Sequence, residues 1–301
     1  MIKKVAILLS TYNGEQYLKD ELDSIFNQKS SANIDVFVRD DGSSDATLSI
    51  LEEYESVQIF PSPNVGVIKS FFDLVTRVKG YEAYFFCDQD DVWLEDKVER
   101  ACQFLSTTEP ALYSSALKVV DHELNFLKLI NEYSNLNYEN SLVEAVGTGC
   151  TMAFNDKFRT LALKVLDNIQ ASDVIMHDSL FIKIASINRT VIHKHDDYAG
   201  ILYRQHANNV VGAKVNIFSK VNSFITHRFG LDNQRANIKE FRAVLQLTED
   251  KEIRQEANEL FYGISSNLFN RLNYIRRVNR FKRNSFMNVL FCLYTIAGIH
   301  K

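Results

Sequence analysis

Two aspartates at the end of an apolar run, Asp88 and Asp90, are the residues whose type and spacing most directly suggest chemistry. Alternate residues of an extended chain point to the same side, so the two carboxylates would repel each other unless a cation lay between them. Mg²⁺ and Mn²⁺ prefer oxygen ligands and are commonly held by one or two protein carboxylates together with diphosphate oxygens. The pair therefore predicts a metal and diphosphate site, whereas an isolated Asp-x-Asp would usually be a solvated acidic loop.

Other polar segments are expected to contribute to the same metal and diphosphate site. Lys69 follows the segment 64–66 and opens a predicted helix, and a lysine and a helix N-terminus both favour an anion such as diphosphate. Polar loops at 10–14 and 39–43 also follow apolar runs. Asn, Asp, Gly and Ser are ordinary turn residues, but three polar loops after successive strands favour one binding site.

The elements that must position these loops alternate between strand and helix. Strand-like segments rich in apolar residues at 5–9, 34–38, 57–60 and 83–87 predict four strands, and the segments between them carry apolar residues at helical spacing. This order predicts an α/β fold with a mostly parallel sheet and helices on both faces. Ligands of such sheets bind outside the carboxyl ends of the strands, where the polar loops fall.

The pattern changes along the rest of the chain. Short strands are predicted at 112–120, 151–154 and 190–193, around a helix near 177–187. After residue 212 the sequence is typical of helices, which predicts a C-terminal helical segment.

Four segments resemble, in order and spacing, the family 2 glycosyltransferases of the GT-A (Rossmann-like) fold; they are Leu8–Gly14, Arg39–Asp45, Asn64–Val67 and Asp88–Trp93. The variant Asp-Gln-Asp-Asp-Val-Trp looks most like the bacterial rhamnosyltransferases that build cell-wall and capsular polysaccharides. The later segments 176–178, 202–206 and 209–212 are similar to that subgroup as well. The resemblance covers roughly residues 3–212.

This resemblance implies roles for individual residues. Ser10, Tyr12 and Asp40 match positions that hold the donor nucleoside, with Asp40 at the pyrimidine edge. Asp88 and Asp90 match the metal-binding Asp-x-Asp motif, which implies Mn²⁺ or Mg²⁺ as cofactor and Asp90 as a direct ligand. The donor-binding residues expected on this basis are Ser10, Thr11, Tyr12, Asn13, Asp40, Asp41, Lys69, Asp88 and Gln89.

Asp178 matches the acidic residue that serves as general base in inverting members of the family. Glycosyl transfer needs the leaving diphosphate neutralised and a carboxylate on the opposite face to take the proton of the acceptor hydroxyl. One metal site and one distant base imply a single displacement with inversion. Without the resemblance, Asp178 would be interpreted as a helix cap. The preceding His177 stands where many relatives carry an acidic residue.

Several other residues have two open interpretations. His206 could complete a metal shell with Asp88 and Asp90 or bind the diphosphate, or it could be a loop histidine bonded to the backbone. Trp93 could stack on a sugar or anchor the following helix, and Gly149 could line the acceptor site or form a tight turn. The expected acceptor-binding residues are Asp91, Trp93, Gly149 and His177.

The net charge of −4 conceals a division along the chain. Residues 213–301 hold 15 Lys and Arg against 7 Asp and Glu, a net charge of +8, and residues 1–212 carry −12. With the resemblance, this division predicts a GT-A domain over 1–212, with a nucleotide-sugar half at 1–110 and an acceptor half at 111–212. A basic helical region at 213–301 follows.

The basic region predicts contact with a membrane surface. Between Arg271 and Lys301, seven basic residues and no acidic one are interleaved with apolar residues, and an apolar stretch lies at 286–299. Such a pattern is typical of an interfacial helix, although it could instead pack on the body or on a second subunit of a homo-oligomer. The acidic remainder argues against nucleic acid as a partner.

The expected location is the cytoplasm, peripherally at the inner face of the cell membrane. The first apolar run has five residues, fewer than the roughly 7–15 of a signal peptide, and no run reaches the roughly 20 residues of a membrane span. The four cysteines are scattered without metal-site spacing, which is typical of a reducing compartment.

The resemblance implies inverting, metal-dependent transfer of L-rhamnose from dTDP-L-rhamnose to a lipid-linked glycan acceptor in cell-wall, capsule or O-antigen synthesis. A UDP-hexose or UDP-N-acetylhexosamine donor is the first alternative. A sugar-phosphate nucleotidyltransferase would show a glycine-rich basic loop after the first strand, which Ser10–Gly14 lacks. A non-catalytic sugar-nucleotide-binding subunit is the remaining alternative.

Overall fold

The computed structural model describes residues 1–131, 141, 147–206, 231–248, 250–265, 267–277, 292 and 295–296. The chain divides into two compact units. The first comprises Met1–Ser134, Gly147–Asp167 and Thr190–Gly212, and the second comprises Asn135–Val146, Asn168–Arg189 and Ala213–Lys301. The segment 168–189 is therefore grouped with the C-terminal helices. The domain boundary predicted after residue 212 and the segment 209–212 lie outside the described residues.

The four strands predicted from the first apolar runs form a parallel half of a larger sheet. They are β1 Lys4–Thr11, β2 Asn33–Asp40, β3 Val57–Pro61 and β4 Ala83–Cys87, in the order β3-β2-β1-β4. Residues 5–9 of β1 are fully buried, as expected for a central parallel strand that is covered on both faces. The register pairs Thr11 with Asp40, so the carboxyl ends of β1 and β2 lie side by side.

Three helices connect these strands and bury apolar stripes. They are α1 Leu18–Phe26, α2 Thr47–Glu52 and α3 Val67–Arg77. In α3, Phe71, Leu74 and Val75 are fully buried at the spacing of a helical stripe. Each such side chain contributes about 1.5–3 kcal/mol through removal of apolar surface from water. This packing fixes where the loops after β1, β2 and β4 begin.

The second half of the sheet mixes strand directions. It adds β5 Val92–Trp93, β6 Ala111–Val120, β7 Phe126–Ile130, β8 Ala153–Asn155 and β9 Ile192–Arg204. The order continues from β4 as β8-β6-β9-β5, with β7 on β6. Strand β8 is antiparallel to β4 and β6, whereas β6 and β9 are parallel. The predicted α/β class is confirmed, and the second half differs from the first because its connections return β8 in the opposite direction.

The remaining helices are shared between the two units. The first unit contains α4 Lys97–Leu105 and α5 Asp156–Leu166; the second contains α6 His177–Ser186, α7 Leu231–Leu247, α8 Lys251–Ser265 and α9 Leu268–Arg277. The predicted C-terminal helical segment is confirmed over its described part. Among the helices described, none has the length and apolar character needed to cross a membrane.

Candidate active site

Asp40, at the end of β2, is held by the loop that it begins. Its Oδ1 accepts hydrogen bonds from the hydroxyls of Thr11 at 2.9 Å and Ser43 at 2.5 Å, and its Oδ2 accepts from the N–H groups of Gly42 at 3.2 Å and Ser43 at 2.9 Å. These four bonds occupy the acceptor positions of the buried carboxylate. Asp40 therefore shapes the loop, and a direct bond to a base would have to replace one of them.

Asp41 fixes the turn that precedes Lys69. Its carboxylate accepts from the N–H groups of Val65 at 2.9 Å and Gly66 at 2.8 Å, and it pairs with the buried Arg39 guanidinium. Gly66 has a φ of 85°, in the left-handed region that favours glycine. The turn starts α3 and places the exposed Lys69 in its first turn, where unpaired N–H groups also favour an anion.

The loop after β1 presents the tyrosine that is expected to contact the nucleoside. Tyr12 is 50% exposed, and its main chain is bound on both sides by the carboxamide of Gln89. Asn13 adopts a left-handed φ of 48° at the tip of this loop. The hydroxyls of Ser10 and Ser70 are 2.6 Å apart and tie the strand end to α3. Hydrogen bonds thus connect the loop after β1 to the loop after β4, and both loops carry expected donor-binding residues.

The acidic loop after β4 meets the end of β9 through a close pair between Asp90 and His206. Oδ2 of Asp90 lies 2.6 Å from Nε2 of His206, and both side chains are largely buried. The His206 ring also packs on that of Tyr17, with centroids 4.8 Å apart. The structure therefore brings together two of the three residues expected around a metal, although 116 positions separate them.

Asp91 occupies the buried end of the same loop. Its Oδ1 accepts from the N–H of Arg204 at 3.0 Å, whereas Oδ2 has no hydrogen-bond partner among the described residues. Burial raises the pKa of Asp91 well above its usual range, and the charges of Asp90 and Asp88 raise it further. A bound cation would compensate such a carboxylate.

These groups fit a divalent cation that prefers oxygen ligands. One ligand atom each from Asp88, Asp91 and Cys150 lies within 4.8 Å of the other two. Burial, followed by the charges of Asp91 and Asp88, raises the pKa of the Cys150 thiol well above its usual range, and a neutral thiol is a poor ligand. The carboxylates, with the imidazole of His206, therefore suit Mn²⁺ or Mg²⁺ better than a thiolate-binding metal.

Arg204, the last residue of β9, holds the acidic loop and was assigned no role from the sequence. Its Nε donates to the carbonyl of Asp90 at 3.0 Å, and Nη2 donates to the carboxylate of Asp20 at 2.7 Å. The guanidinium lies 4.4 Å from the ring centroid of Tyr17. With its main-chain bond to Asp91, Arg204 fixes two consecutive residues of the loop. The available signal was an arginine two residues before a histidine at a strand end.

Two buried titratable residues near the acidic loop, Glu21 and Lys97, were also missed. Glu21 accepts a hydrogen bond from the Cys87 thiol at 2.9 Å, and burial raises the pKa of Glu21 to about 8. Burial also lowers the pKa of Lys97 to about 8. Lys97 Nζ donates to the carbonyl of Cys150 at 2.7 Å, and the negative charges of Glu21 and Asp91 act to raise its pKa against the effect of burial. Nothing in the local pattern distinguishes these residues from the solvated charges of an amphipathic helix.

The structure corrects the expectation that Trp93 offers its ring to an acceptor sugar. The side chain is 3% exposed, and the Lys97 ammonium lies 3.2 Å from the ring centroid. A sugar cannot stack on a ring that is covered in this way, so the anchoring interpretation applies. Gly149 lies in the buried 3₁₀ turn Gly149–Thr151, which matches its alternative interpretation as a tight turn.

In the second unit, Asp178 lies in the first turn of α6. Its Oδ1 accepts from the N–H of Ser179 at 2.6 Å, and the helix dipole favours its ionised form. The preceding His177 is buried, and burial lowers its pKa to about 3, so its ring is neutral at physiological pH. Contrary to expectation, His177 presents neither charge nor accessible surface to an acceptor.

The chain resembles known proteins in sequence and in fold. The profile described as Glycosyl transferase family 2 matches residues 6–183. The chain is 30% identical over 267 residues to the dTDP-rhamnosyl transferase RfbG of Shigella flexneri, covering 85% of this chain and 90% of that protein. It is 26% identical to the putative teichuronic acid biosynthesis glycosyltransferase TuaG of Bacillus subtilis, covering 52% of this chain and 63% of that protein. The structure of S. aureus TarS in complex with UDP-GlcNAc shares the fold, with a TM-score of 0.60 and 18% identity over 99% of this chain and 88% of that one.

Proposed function

The chain belongs to glycosyl transferase family 2, and we propose that it transfers L-rhamnose from dTDP-L-rhamnose to a lipid-linked saccharide of a cell-wall, capsular or O-antigen polysaccharide. The observation that carries the donor assignment is the similarity to a dTDP-rhamnosyl transferase over 85% of the chain. The acidic loop and its histidine supply the groups that a nucleotide-sugar diphosphate and its counterion require. A UDP-hexose or UDP-N-acetylhexosamine donor is the alternative.

Two exposed side chains of the first unit make the direct contacts with the donor. The ring of Tyr12 stacks on or lies beside the nucleoside, and the ammonium of Lys69 complements the diphosphate at the start of α3. Asp40, Asp41 and Gln89 act through the backbone, because their side chains already bond the loops that carry these groups. Donor binding then requires little ordering of these loops, which favours affinity.

The residues that would hold Mn²⁺ or Mg²⁺ are Asp88, Asp90 and Asp91, with His206. Such a cation, when bound, neutralises the negative charge that develops on the leaving diphosphate. Arg204 contributes by binding the Asp90 carbonyl with its guanidinium and the Asp91 carboxylate with its main-chain N–H, so the carboxylates keep their places as charge develops.

Asp178 acts as the general base. Its carboxylate, ionised at the start of α6, takes the proton of the acceptor hydroxyl while that oxygen attacks the anomeric carbon and the diphosphate leaves. One displacement inverts the configuration at that carbon. The Asp178→Asn variant should bind donor normally and lose turnover, because an amide cannot take the proton. Retained turnover would refute the base assignment, and a wild-type protein without turnover would favour a non-catalytic binding subunit.

The donor assignment is tested by a binding screen with dTDP-L-rhamnose, UDP-glucose and UDP-N-acetylglucosamine, each with Mn²⁺ or Mg²⁺. A donor present at about 100 times its Kd stabilises the folded state by about 2.7 kcal/mol, which a thermal-shift assay resolves. We expect the largest shift with dTDP-L-rhamnose. Turnover is then measured as release of dTDP in the presence of a detergent-solubilised lipid-linked saccharide. A larger shift and faster turnover with a UDP-sugar would replace the proposed donor.

Helix α9 provides the proposed contact with the inner face of the cytoplasmic membrane. Leu268, Phe269 and Leu272 are exposed on this short helix, and Phe269 is 70% exposed. Arg271 and Arg276 lie on the same helix, and each basic residue near anionic lipid adds about 1 kcal/mol. The apolar stretch predicted at 286–299 lies mostly outside the described residues. We place the enzyme in the cytoplasm, where nucleotide sugars and the lipid-linked acceptor meet.

Substitution on α9 tests this contact. Phe269→Glu with Leu272→Glu should abolish sedimentation with phosphatidylglycerol-containing vesicles and leave thermal stability unchanged. The matched control, Phe126→Glu with Leu129→Glu, alters exposed apolar residues of β7 and should sediment like wild type. If only the control loses binding, β7 and not α9 is the membrane contact. If the molecular mass of the wild type in solution rises with protein concentration and that of the α9 variant does not, a second subunit packs on this face.

A further inference from the structure

A buried ion pair in the second unit joins α6 to α7. Lys183 of α6 and Glu240 of α7 are both fully buried, and Nζ contacts Oε2 directly. Glu240 lies beyond residues 6–183, over which the chain matches its family. The residues with proposed roles in the transfer reaction all precede this C-terminal region.

Glu240 is hydrogen-bonded to the chain on both sides of Asp178. Its Oε1 accepts from the N–H of Ile175 at 3.3 Å, and its Oε2 accepts from the hydroxyl of Ser179 at 3.4 Å as well as from Lys183. Ile175 precedes Asp178 by three residues and Ser179 follows it directly. One carboxylate therefore anchors both the entry to α6 and its first turn.

Lys183 completes this network one helical turn further on. Its Nζ donates to the hydroxyl of Ser179 at 2.8 Å and to Oδ1 of Asn237 at 3.1 Å, in addition to Glu240. The three N–H groups of the ammonium thus have three acceptors. Burial lowers the pKa of Lys183, whereas the charges of Glu240 and Asp178 raise it. The ammonium of Lys183 therefore interacts with the charge of Asp178 and is also hydrogen-bonded to Ser179, the next residue along the chain.

Stability alone does not explain such a network. Burying two charges removes their hydration, and an apolar pair of similar volume is often at least as stable. A fully satisfied polar network instead fixes the geometry of the groups that it connects. Here it connects the residues on either side of a carboxylate whose reaction depends on its placement.

We propose that Glu240 is a positioning residue for the transfer reaction, holding Ile175 and Ser179 so that the carboxylate of Asp178 keeps the orientation in which it takes the acceptor's proton. This inference rests on the proposed function, because it requires Asp178 to be the general base. A misplacement of about 1 Å can cost on the order of a hundredfold in rate. Loss of the anchors should therefore lower kcat about tenfold or more and leave donor affinity unchanged.

A matched pair of double variants isolates this role. Lys183→Met with Glu240→Leu and Lys183→Met with Glu240→Gln both remove the two buried charges. They differ in whether residue 240 keeps an acceptor oxygen for Ile175 and Ser179. We expect the leucine variant to lose about tenfold or more in kcat with an unchanged KM for dTDP-L-rhamnose, and the glutamine variant to recover most of the loss. Turnover is followed by dTDP release, donor Kd by calorimetry and folding by thermal denaturation.

Each outcome of this experiment decides the proposal. Wild-type kcat in the leucine variant, or an equal loss in both double variants, overturns it. If the leucine variant does not fold, Ser179→Ala removes one anchor with little change in volume; a severalfold loss of kcat at constant donor Kd supports the proposal, and no loss overturns it. Asp178→Asn serves as the reference. If Asp178→Asn retains turnover, the proposed general base is refuted. If Asp178→Asn loses turnover while the leucine variant stays fully active, only the role of Glu240 is refuted.

Discussion

The carboxamide of Gln89 makes two hydrogen bonds to the main chain of Tyr12. Oε1 accepts from the Tyr12 N–H at 2.8 Å, and Nε2 donates to the Tyr12 carbonyl at 3.1 Å. A Cβ on Gly14 would lie 2.4 Å from the same Oε1, so only glycine at that position leaves room for the contact. Through this pair, the acidic loop after β4 holds the loop after β1 in place.

Removing the carboxamide should weaken donor binding. Gln89→Ala removes both of the hydrogen bonds that the carboxamide makes to the main chain of Tyr12. Each such bond contributes about 0.5–1.5 kcal/mol to the stability of the ordered loop. We expect the Kd for dTDP-L-rhamnose to rise about tenfold, measured by calorimetry with Mn²⁺. Gln103→Ala, which alters an exposed glutamine of α4, is the control and should bind like wild type. An unchanged Kd in Gln89→Ala would separate this pair from donor binding.

Adding one methyl group at Gly14 should have the same effect by a different route. Gly14→Ala places a Cβ where the end of the Gln89 side chain lies, so that side chain must leave Tyr12. We expect a loss of donor affinity similar to that in Gln89→Ala. In a double-mutant cycle the two losses should not add, because both act through one contact. Additive losses would mean that Gly14 acts independently of Gln89.

The metal site can be probed through Asp88. Asp88→Asn keeps the shape of the side chain and removes the negative charge that a divalent cation requires. We expect the affinity for Mn²⁺ in the presence of dTDP to fall by about tenfold or more, measured by electron paramagnetic resonance of free Mn²⁺. Asp167→Asn changes an exposed carboxylate at the end of α5 and should leave Mn²⁺ affinity unchanged. Equal affinities in the two variants would remove Asp88 from the proposed ligands.

His177 should make the folded state sensitive to mild acid. Burial lowers its pKa to about 3, whereas a histidine of the unfolded chain titrates near pH 6.5. As pH falls from 7 to 5, the unfolded state takes up this proton and the folded state does not, so stability is lost. Wild type should lose about 2 kcal/mol more than His177→Phe over this interval, measured by urea denaturation. Equal losses would show that the ring can be protonated in the folded protein.

The first half of the sheet could be predicted because its signal is local. The strands β1 and β4 carry continuous apolar runs, as parallel strands covered on both faces need, and β2 and β3 carry several apolar residues each. Strand β9 was predicted only at 190–193, although it extends over Ile192–Arg204. Its middle is polar and only partly buried, so the pairing with β6 stabilises a segment that has no strand pattern of its own.

The placement of the polar loops at one edge of the sheet could be predicted from the sequence, but the contacts within them could not. The order of the polar loops placed Asp40, Asp88 and Asp90 at one edge of the sheet, as the register of β1 with β2 and β4 bears out. No spacing indicated that Asp40 would bond its own loop, that Trp93 would be covered by Lys97, or that Arg204 would hold the acidic loop.

The sequence by itself determined the strands in the first half of the sheet, the loops that follow them and the family to which the chain belongs. These features depend on short segments of neighbouring residues. The tertiary structure decided which carboxylates bond their own loops and which meet distant partners. Asp90 meets a histidine 116 positions away, and Glu240 reaches Ser179 across 61 positions. Burial and such distant partners decide what a charged side chain can do, and both exist only once the chain has folded.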